Sequence, residues 1–310
     1  MKKMIVLAGA ILAIAFVATL FLPTGKALAQ QGQMAAPLSP AHLNPAVIKL
    51  AAGQPMIGLQ TGDMSLQNCH SIARVNYDYV YFDLEHNPLN FESLGWCVAA
   101  WADKTAALKS GSAAPKVALF ARFPSYGRDQ DSNDWVIKQA LDIGLMGIIF
   151  NGVDNSEQMT RIIQEMRYPQ KKNAKYPQPP GMRGYSPTNA LFAWGIPGAE
   201  YERRADVWPL NPDGDLMAIP QIETLEGLKN ADAIASVPGV SAIFLGAGGD
   251  LHQYLGVDSA NSPETEEARQ TVLKACKAHH VACGITAGNK EAVDRRLKEG
   301  WMMIRTGAGE

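Results

Sequence analysis

From Met56 onward, short apolar runs and longer amphipathic stretches take turns along the chain. The apolar runs are rich in Val, Ile, Leu and Phe and too short for buried helices, which predicts strands buried on both faces. They are MIGLQ (56–60), YVYFDL (79–84), VALFAR (117–122), GIIFN (147–151), LMAIPQIE (216–223), AIFLGA (242–247), ACGIT (282–286) and MMIRTG (302–307). Between them SLQNCHSIARV, SNDWVIKQALDIG, NSEQMTRIIQEM, TLEGLKNADAIASV and PETEEARQTVLKACKAH read as helices. Several open on Ser, Asn or Thr, whose side chains cap free backbone N–H groups, and SEQMTRIIQEM carries an acid in its first turn. Eight such alternations predict a parallel (β/α)8 TIM barrel.

Three stretches break the rhythm. Lys2 and Lys3 precede the apolar run MIVLAGAILAIAFVATLFL, and the segment closes on KALAQ. A charged start, an apolar middle and an Ala-x-Ala ending predict an export signal over 1–29, cleaved after Ala29 and delivering the protein to a periplasm. An uncleaved membrane anchor is the alternative, since the run is long enough to span a bilayer. A polar linker over 30–42 follows, and 43–310 forms the barrel domain. Residues 168–215 are rich in Pro, Gly and aromatics, and a connection of that length predicts a lid or an interface arm. The chain stops at RTGAGE, just after the eighth strand and without an eighth helix, so a neighbouring subunit is expected to cover that side.

Charge narrows the function. Without Lys2, Lys3 and Lys26 the 28 basic residues fall to 25 against 30 acids, a net charge near −5. No basic block or stripe is present, which excludes nucleic acid as a partner. Cys69, Cys97, Cys276 and Cys283 lack metal-finger spacing; an oxidising compartment permits disulfides, and their apolar surroundings equally permit buried thiols.

Barrel enzymes place their chemistry where strands end. The second strand ends in Asp83, Glu85 and His86, the third in Arg122, the fourth in Asn151, the fifth in Gln221 and Glu223, and Asp250 follows the sixth. Glu223 and Asp250, two carboxylates on neighbouring strands, suit a hard divalent ion such as Mg2+ or Mn2+; ordinary ion-paired acids are the alternative. Arg122 offers a planar guanidinium to a carboxylate or an enolate oxygen, or simply to a nearby acid. His86 is placed to act as a base near neutral pH, or is a structural histidine. The glycine-rich GAGG before Asp250, with Gly248 and Gly249, presents backbone N–H groups to an anion. No lysine ends a strand, so Schiff-base chemistry has no candidate.

In order, YDYVYFDLEHNP, LDIGLMGIIFNGVDNSEQ, RYPQ…PPGMRGYSPTNALFAWG, IPQIETLEGLKNADAIASVPGVSAIFLGAGGDL and GWMMIRTGAG resemble the HpcH/HpaI aldolase family over about residues 55–309. The resemblance implies a barrel of the phosphoenolpyruvate/pyruvate type and a metal-dependent class II aldolase that handles pyruvate and an aldehyde. It implies Glu223 and Asp250 as metal ligands, Arg122 on the keto oxygen, His86 as base oriented by Asp142, and Gln221, Gly248 and Gly249 around the substrate. A symmetric homo-oligomer is also implied. Two loops depart from the family: FNGV stands where Pro-Met-Val is usual, and GAGGDL replaces Gly-Pro-x-Asp-Leu. The competing expectations are a related lyase on a different 2-oxo acid and an exported protein that binds a 2-oxo acid or dicarboxylate without turnover.

Overall fold

Every one of the apolar runs becomes a strand. In the computed structural model, which describes residues 41–124 and 126–307, nine strands occur: β1 Met56–Thr61, β2 Tyr79–Asp83, β3 Ala118–Phe123, β4 Gly147–Phe150, β5 Val207–Trp208, β6 Leu216–Ile222, β7 Ala242–Leu245, β8 Ala282–Ala287 and β9 Met303–Thr306. β4 pairs with β6 and β1 with β9, so eight parallel strands close a barrel. The two-residue β5 joins the first residues of β6, below the point where β7 takes over. The export signal over 1–29 and most of the 30–42 linker lie outside the described residues.

Register explains how the barrel fills. Gly58 pairs with Tyr79, Gly147 with Phe120 and Gly284 with Phe244. A Cβ at those glycines would lie 2.4, 2.6 and 2.7 Å from the facing ring. Each glycine therefore makes room for an aromatic on the next strand, the large-against-small packing a narrow barrel requires. Tyr79 and Phe120 also stack, with centroids 5.7 Å apart. Farther along the same inward rows come Gln60, Tyr81, Asp83, Arg122, Gln221, Thr286 and Arg305, so the apolar floor gives way to a polar mouth.

The capped helices form as the sequence predicts: Asn155 accepts from Gln158 N ahead of Ser156–Met166, and Ser262 from Thr265 N ahead of Pro263–Ala278. TLEGLKNADAIASV does not run as one helix. It breaks at Asn230 into Leu225–Lys229 and Ala231–Ala235, because the Asn230 amide donates to Asp154 O at 2.8 Å and leaves the helical path. A helix not foreseen, Pro45–Ala51, sits at the strand-start end. Asp215 fixes it, accepting from Leu43 N and Asn44 N at 3.1 Å while pairing with Arg204 at 2.9 Å.

The 168–215 connection is not a lid over the mouth. It links the C-terminus of a helix to the start of β6, so chain direction puts it at the strand-start end. There it folds into helices Thr188–Trp194 and Gly198–Arg204. Buried Arg167 gathers it, binding both Asp206 oxygens (2.7 and 3.0 Å) and the carbonyls of Tyr176 and Pro179. Among the described residues no helix follows β9.

Candidate active site

Adjacent strands deliver Asp83 and Arg122 side by side, in register. Arg122 donates through Nε to Asp83 Oδ1 at 3.0 Å and through Nη2 to Oδ2 at 2.6 Å. Its Nη1 lies 3.1 Å from Glu85 Oε2 and donates to Gln221 Oε1 at 3.4 Å. Burial alone would lower the guanidinium pKa, but the hydrogen bond and charge of Asp83, with Tyr81 and Glu85, outweigh it and hold the pKa above its ordinary value. Gln60 supports the pair by donating to Asp83 at 2.6 Å while accepting from the Tyr81 hydroxyl at 2.7 Å. The guanidinium is thus fixed in orientation before any ligand arrives.

Glu223 continues beyond β6 and is 4% exposed. One oxygen accepts from Gly152 N at 2.9 Å, the other from Gln221. Gly152 holds φ +60°, a conformation that favours glycine, and so the departure from the family in FNGV is the loop that supplies this donor. Burial raises the Glu223 pKa, the Gln221 and Gly152 hydrogen bonds oppose it, and the charges of Glu85 and Asp250 add to the rise. Glu85 is raised likewise, by burial first, against Arg122 and His86, with Asp83 and Asp250 contributing. Asp250 is exposed in a π-helical turn over Ala247–Leu251 that also presents Gly248 and Gly249.

These side chains line one cavity of about 330 Å3, shared by Gln60, Tyr81, Glu85, His86, Arg122, Gln221, Glu223, Gly248, Gly249, Asp250, Thr286 and Arg305. His86 stands at the rim with its side chain 67% exposed and Nε2 3.4 Å from Glu85 Oε2. A larger cleft of about 880 Å3 lies along the 168–206 segment, beside Tyr168, Lys171, Tyr185 and Glu202. Its two acids, Glu202 and Asp206, are already paired with Lys171 and Arg167, whereas the smaller cavity gathers Glu85, Glu223 and Asp250 around Arg122.

Asp142 is the one predicted site residue that the chain does not bring here. It caps the far end of helix Gln130–Asp142 and pairs with buried Arg183 at 2.8 Å, alongside Tyr201 and below the barrel. A helix that starts at the mouth must end at the opposite side, so within one chain Asp142 does not orient His86. Four cavity residues with polar side chains were missed by sequence reasoning: Gln60, Tyr81, Thr286 and Arg305. The signal existed for three of them, since Gln60, Thr286 and Arg305 all end strands as Arg122 does.

The charges of Glu85 and Asp250 bear on Glu223, and that of Asp250 on Glu85, so the cavity presents an all-oxygen donor set of the kind a hard divalent cation relieves. Among the described residues no three His, Cys, Asp or Glu side chains form a ready cage. A cation would rest on Glu223 and Asp250 and leave its other positions to water and ligand, which fits Mg2+ or Mn2+.

A closed parallel barrel whose mouth joins an anchored arginine, a histidine and an acid pair has the architecture of a barrel enzyme with its polar groups gathered at the strand ends. Residues 64–309 match the family model "HpcH/HpaI aldolase/citrate lyase", and the chain belongs to that family. It is 27% identical over 238 residues to a 2-dehydro-3,6-dideoxy-6-sulfogluconate aldolase of Pseudomonas putida, covering 76% of this chain and 80% of that one. Against a 5-keto-4-deoxy-D-glucarate aldolase of Salmonella paratyphi C the identity is 28% over 261 residues, covering 84% and 88%. A solved HpcH/HpaI aldolase/citrate lyase family protein from Burkholderia cenocepacia superposes with TM-score 0.68 at 26% identity, covering 86% of this chain and 93% of that one. Macrophomate synthase shares the fold at TM-score 0.64 and 23% identity, covering 91% and 90%. The protein is accordingly an enzyme of the aldolase type, in a family that generally depends on a divalent metal.

Proposed function

We propose that the enzyme makes or cleaves a 4-hydroxy-2-oxo acid through the enolate of pyruvate or a close 2-oxo acid, with an aldehyde as the other partner. The observation that carries this reading is the anchored Arg122 facing the Glu223–Asp250 pair across one small cavity, with His86 at its rim. Mg2+ or Mn2+, held by Glu223 and Asp250, would supply Lewis-acid polarisation of the 2-oxo group. Arg122 points its N–H groups at the oxygen where negative charge develops, and its four existing contacts keep it from reorganising as that charge forms. His86 takes a proton from the carbon next to the oxo group in synthesis and returns it in cleavage. The backbone of Gly248 and Gly249 orients the 2-oxo acid's carboxylate.

The test uses pyruvate alone, in D2O with Mg2+ or Mn2+, following the methyl proton signal by NMR. Exchange that EDTA and His86→Ala both abolish supports the reading. A folded protein that exchanges nothing with any divalent ion sinks it.

We infer also that the protein works outside the cytoplasm. The leader-like pattern over 1–29 supports this, as do two disulfides, Cys69–Cys97 and Cys276–Cys283, which leave no cysteine free. N-terminal sequencing of the periplasmic fraction should begin at Gln30; a full-length chain retained in the membrane would refute cleavage.

A further inference from the structure

A second guanidinium enters the cavity, and nothing assigned so far uses it. Arg305 lies on β9 between Gly58 of β1 and Thr286 of β8, each in register with it. Gly58 has no side chain to cover it, whereas Thr286 brings a hydroxyl beside it. Both Thr286 and Arg305 line the cavity. The Arg305 Nε–H is buried without a hydrogen-bond partner, and among the described residues no carboxylate approaches within ion-pair distance.

The contrast with Arg122 is informative. Asp83, Glu85 and Gln221 already occupy Arg122, whereas none of Asp83, Glu85, Glu223 and Asp250 forms an ion pair with Arg305. Arg122 lies 5.8 Å from the Tyr81 ring centroid, and Arg305 reaches Tyr81 through a side-chain hydrogen bond, so what Arg305 meets is a neutral phenol and not a carboxylate. A partly buried guanidinium with no counter-charge is costly in the empty protein and becomes favourable when an oxyanion reaches it. The ligand that satisfies the whole cavity therefore has two polar ends: a 2-oxo acid end toward Arg122 and the acid pair, and a second anionic end toward Arg305.

We propose that Arg305, with Thr286 beside it, is a specificity-determining residue that receives an acidic oxyanion at the end of the acceptor aldehyde, a carboxylate or a sulfonate. This rests on the aldol reading for its role in turnover, but its preference for an anion does not.

The experiment compares wild type with Arg305→Met and Arg305→Lys. Aldol addition of pyruvate is measured with succinic semialdehyde, with a sulfonated aldehyde and with neutral propanal. Losing a charge-assisted hydrogen bond is expected to lower the ratio of kcat/KM for the acidic over the neutral aldehyde roughly ten- to a hundredfold in Arg305→Met, with partial recovery in Arg305→Lys. Whichever acid suffers more identifies the oxyanion. Equal losses for acidic and neutral aldehydes would overturn the proposal and leave Arg305 a structural cation. Should none of the three aldehydes turn over, pyruvate exchange still judges the lyase reading, and calorimetry with succinate against butyrate decides the anion site by itself. A wild-type preference for succinate that Arg305→Met erases upholds the site; no preference refutes it.

Discussion

Asp83 and Arg122 face each other across the β2–β3 ladder as a two-pronged ion pair, 3.0 and 2.6 Å, at the ends of their strands. This pair converts two ordinary strand ends into a rigid electrostatic device. Lysine in place of Arg122 carries a single ammonium, which cannot serve both Asp83 oxygens and still reach Glu85 and Gln221. Arg122→Lys should therefore lower kcat at least about a hundredfold, the size of effect seen when one positioned donor is lost. The circular dichroism spectrum should stay native. Pyruvate exchange within tenfold of wild type would remove Arg122 from the chemistry.

Glu223 gives a prediction in which binding and stability part company. Its carboxylate is buried and its pKa is raised by that burial, so removing the charge relieves a cost to the fold. Glu223→Gln should be at least as stable as wild type at pH 8, yet lose divalent-ion binding, read by Mn2+ electron paramagnetic resonance. Asp250→Asn should weaken Mn2+ too, with no change in stability, since Asp250 is exposed. Because the ion needs Glu223 deprotonated, Mn2+ affinity should fall in acid starting above the ordinary glutamate range. Unaltered Mn2+ binding in both variants would place the metal elsewhere.

The barrel was readable because strands buried on both faces write themselves as unbroken apolar runs, so even MMIRTG, cut by an arginine, stands out. Arg305 carries the same strand-end signal as Arg122, but its inward direction follows only from register with Gly58 and Thr286. Strand-end reasoning found His86, Arg122, Glu223 and Asp250 because chain direction alone puts them at one mouth. Asp142 came from resemblance instead, and the helix length that carries it away from His86 was available to correct it. The helices at 188–194 and 198–204 were not legible, since Pro187 and Pro197 precede them without a capping hydrogen bond and no long amphipathic period develops. Pro45–Ala51 is too short to declare itself and depends on Asp215, about 170 residues away.

The two disulfides should contribute unequally. Cys69–Cys97 closes a separation of 28 residues and Cys276–Cys283 one of 7. Loop-closure entropy gives the first about 3–4 kcal/mol and the second about 2–3 kcal/mol. Urea midpoints of Cys69→Ser/Cys97→Ser and Cys276→Ser/Cys283→Ser, each a double variant, should fall in that order. The reverse order would mean that local packing, not chain entropy, sets their value.

Gly147 tests the large-against-small packing of the barrel. Alanine there would set its Cβ 2.6 Å from the Phe120 ring, with the Met217 side chain also close. Overpacking of this kind costs about 1–3 kcal/mol. Gly198→Ala is the control, because nothing lies within 4 Å of the added methyl, and a glycine at a helix start gains slightly from alanine. If thermal melting moves equally in both, the register-based account of the core is wrong.

Glu266 should govern part of the acid limb of stability. Two Arg296 N–H groups bind its oxygens at 2.9 and 2.8 Å, and Arg269 adds a third bond at 3.0 Å. The hydrogen bonds from Arg296 come first among the causes that hold its pKa down to about 2, against an ordinary value of 4.5. A carboxyl depressed on folding adds stability that is complete above the unfolded pKa and disappears as pH falls through the folded one. The contribution is therefore full above pH 4.5 and lost between there and about pH 2. Its side chain is 40% exposed, and solvent screening brings the expected size to on the order of 1 kcal/mol. Urea titrations of wild type and Glu266→Gln should differ by that amount at pH 6 and converge toward pH 2.5. A gap that stays constant over this range would mean that the two side chains differ in packing and not in charge, and no gap at any pH would mean that the charge of Glu266 does nothing for the fold.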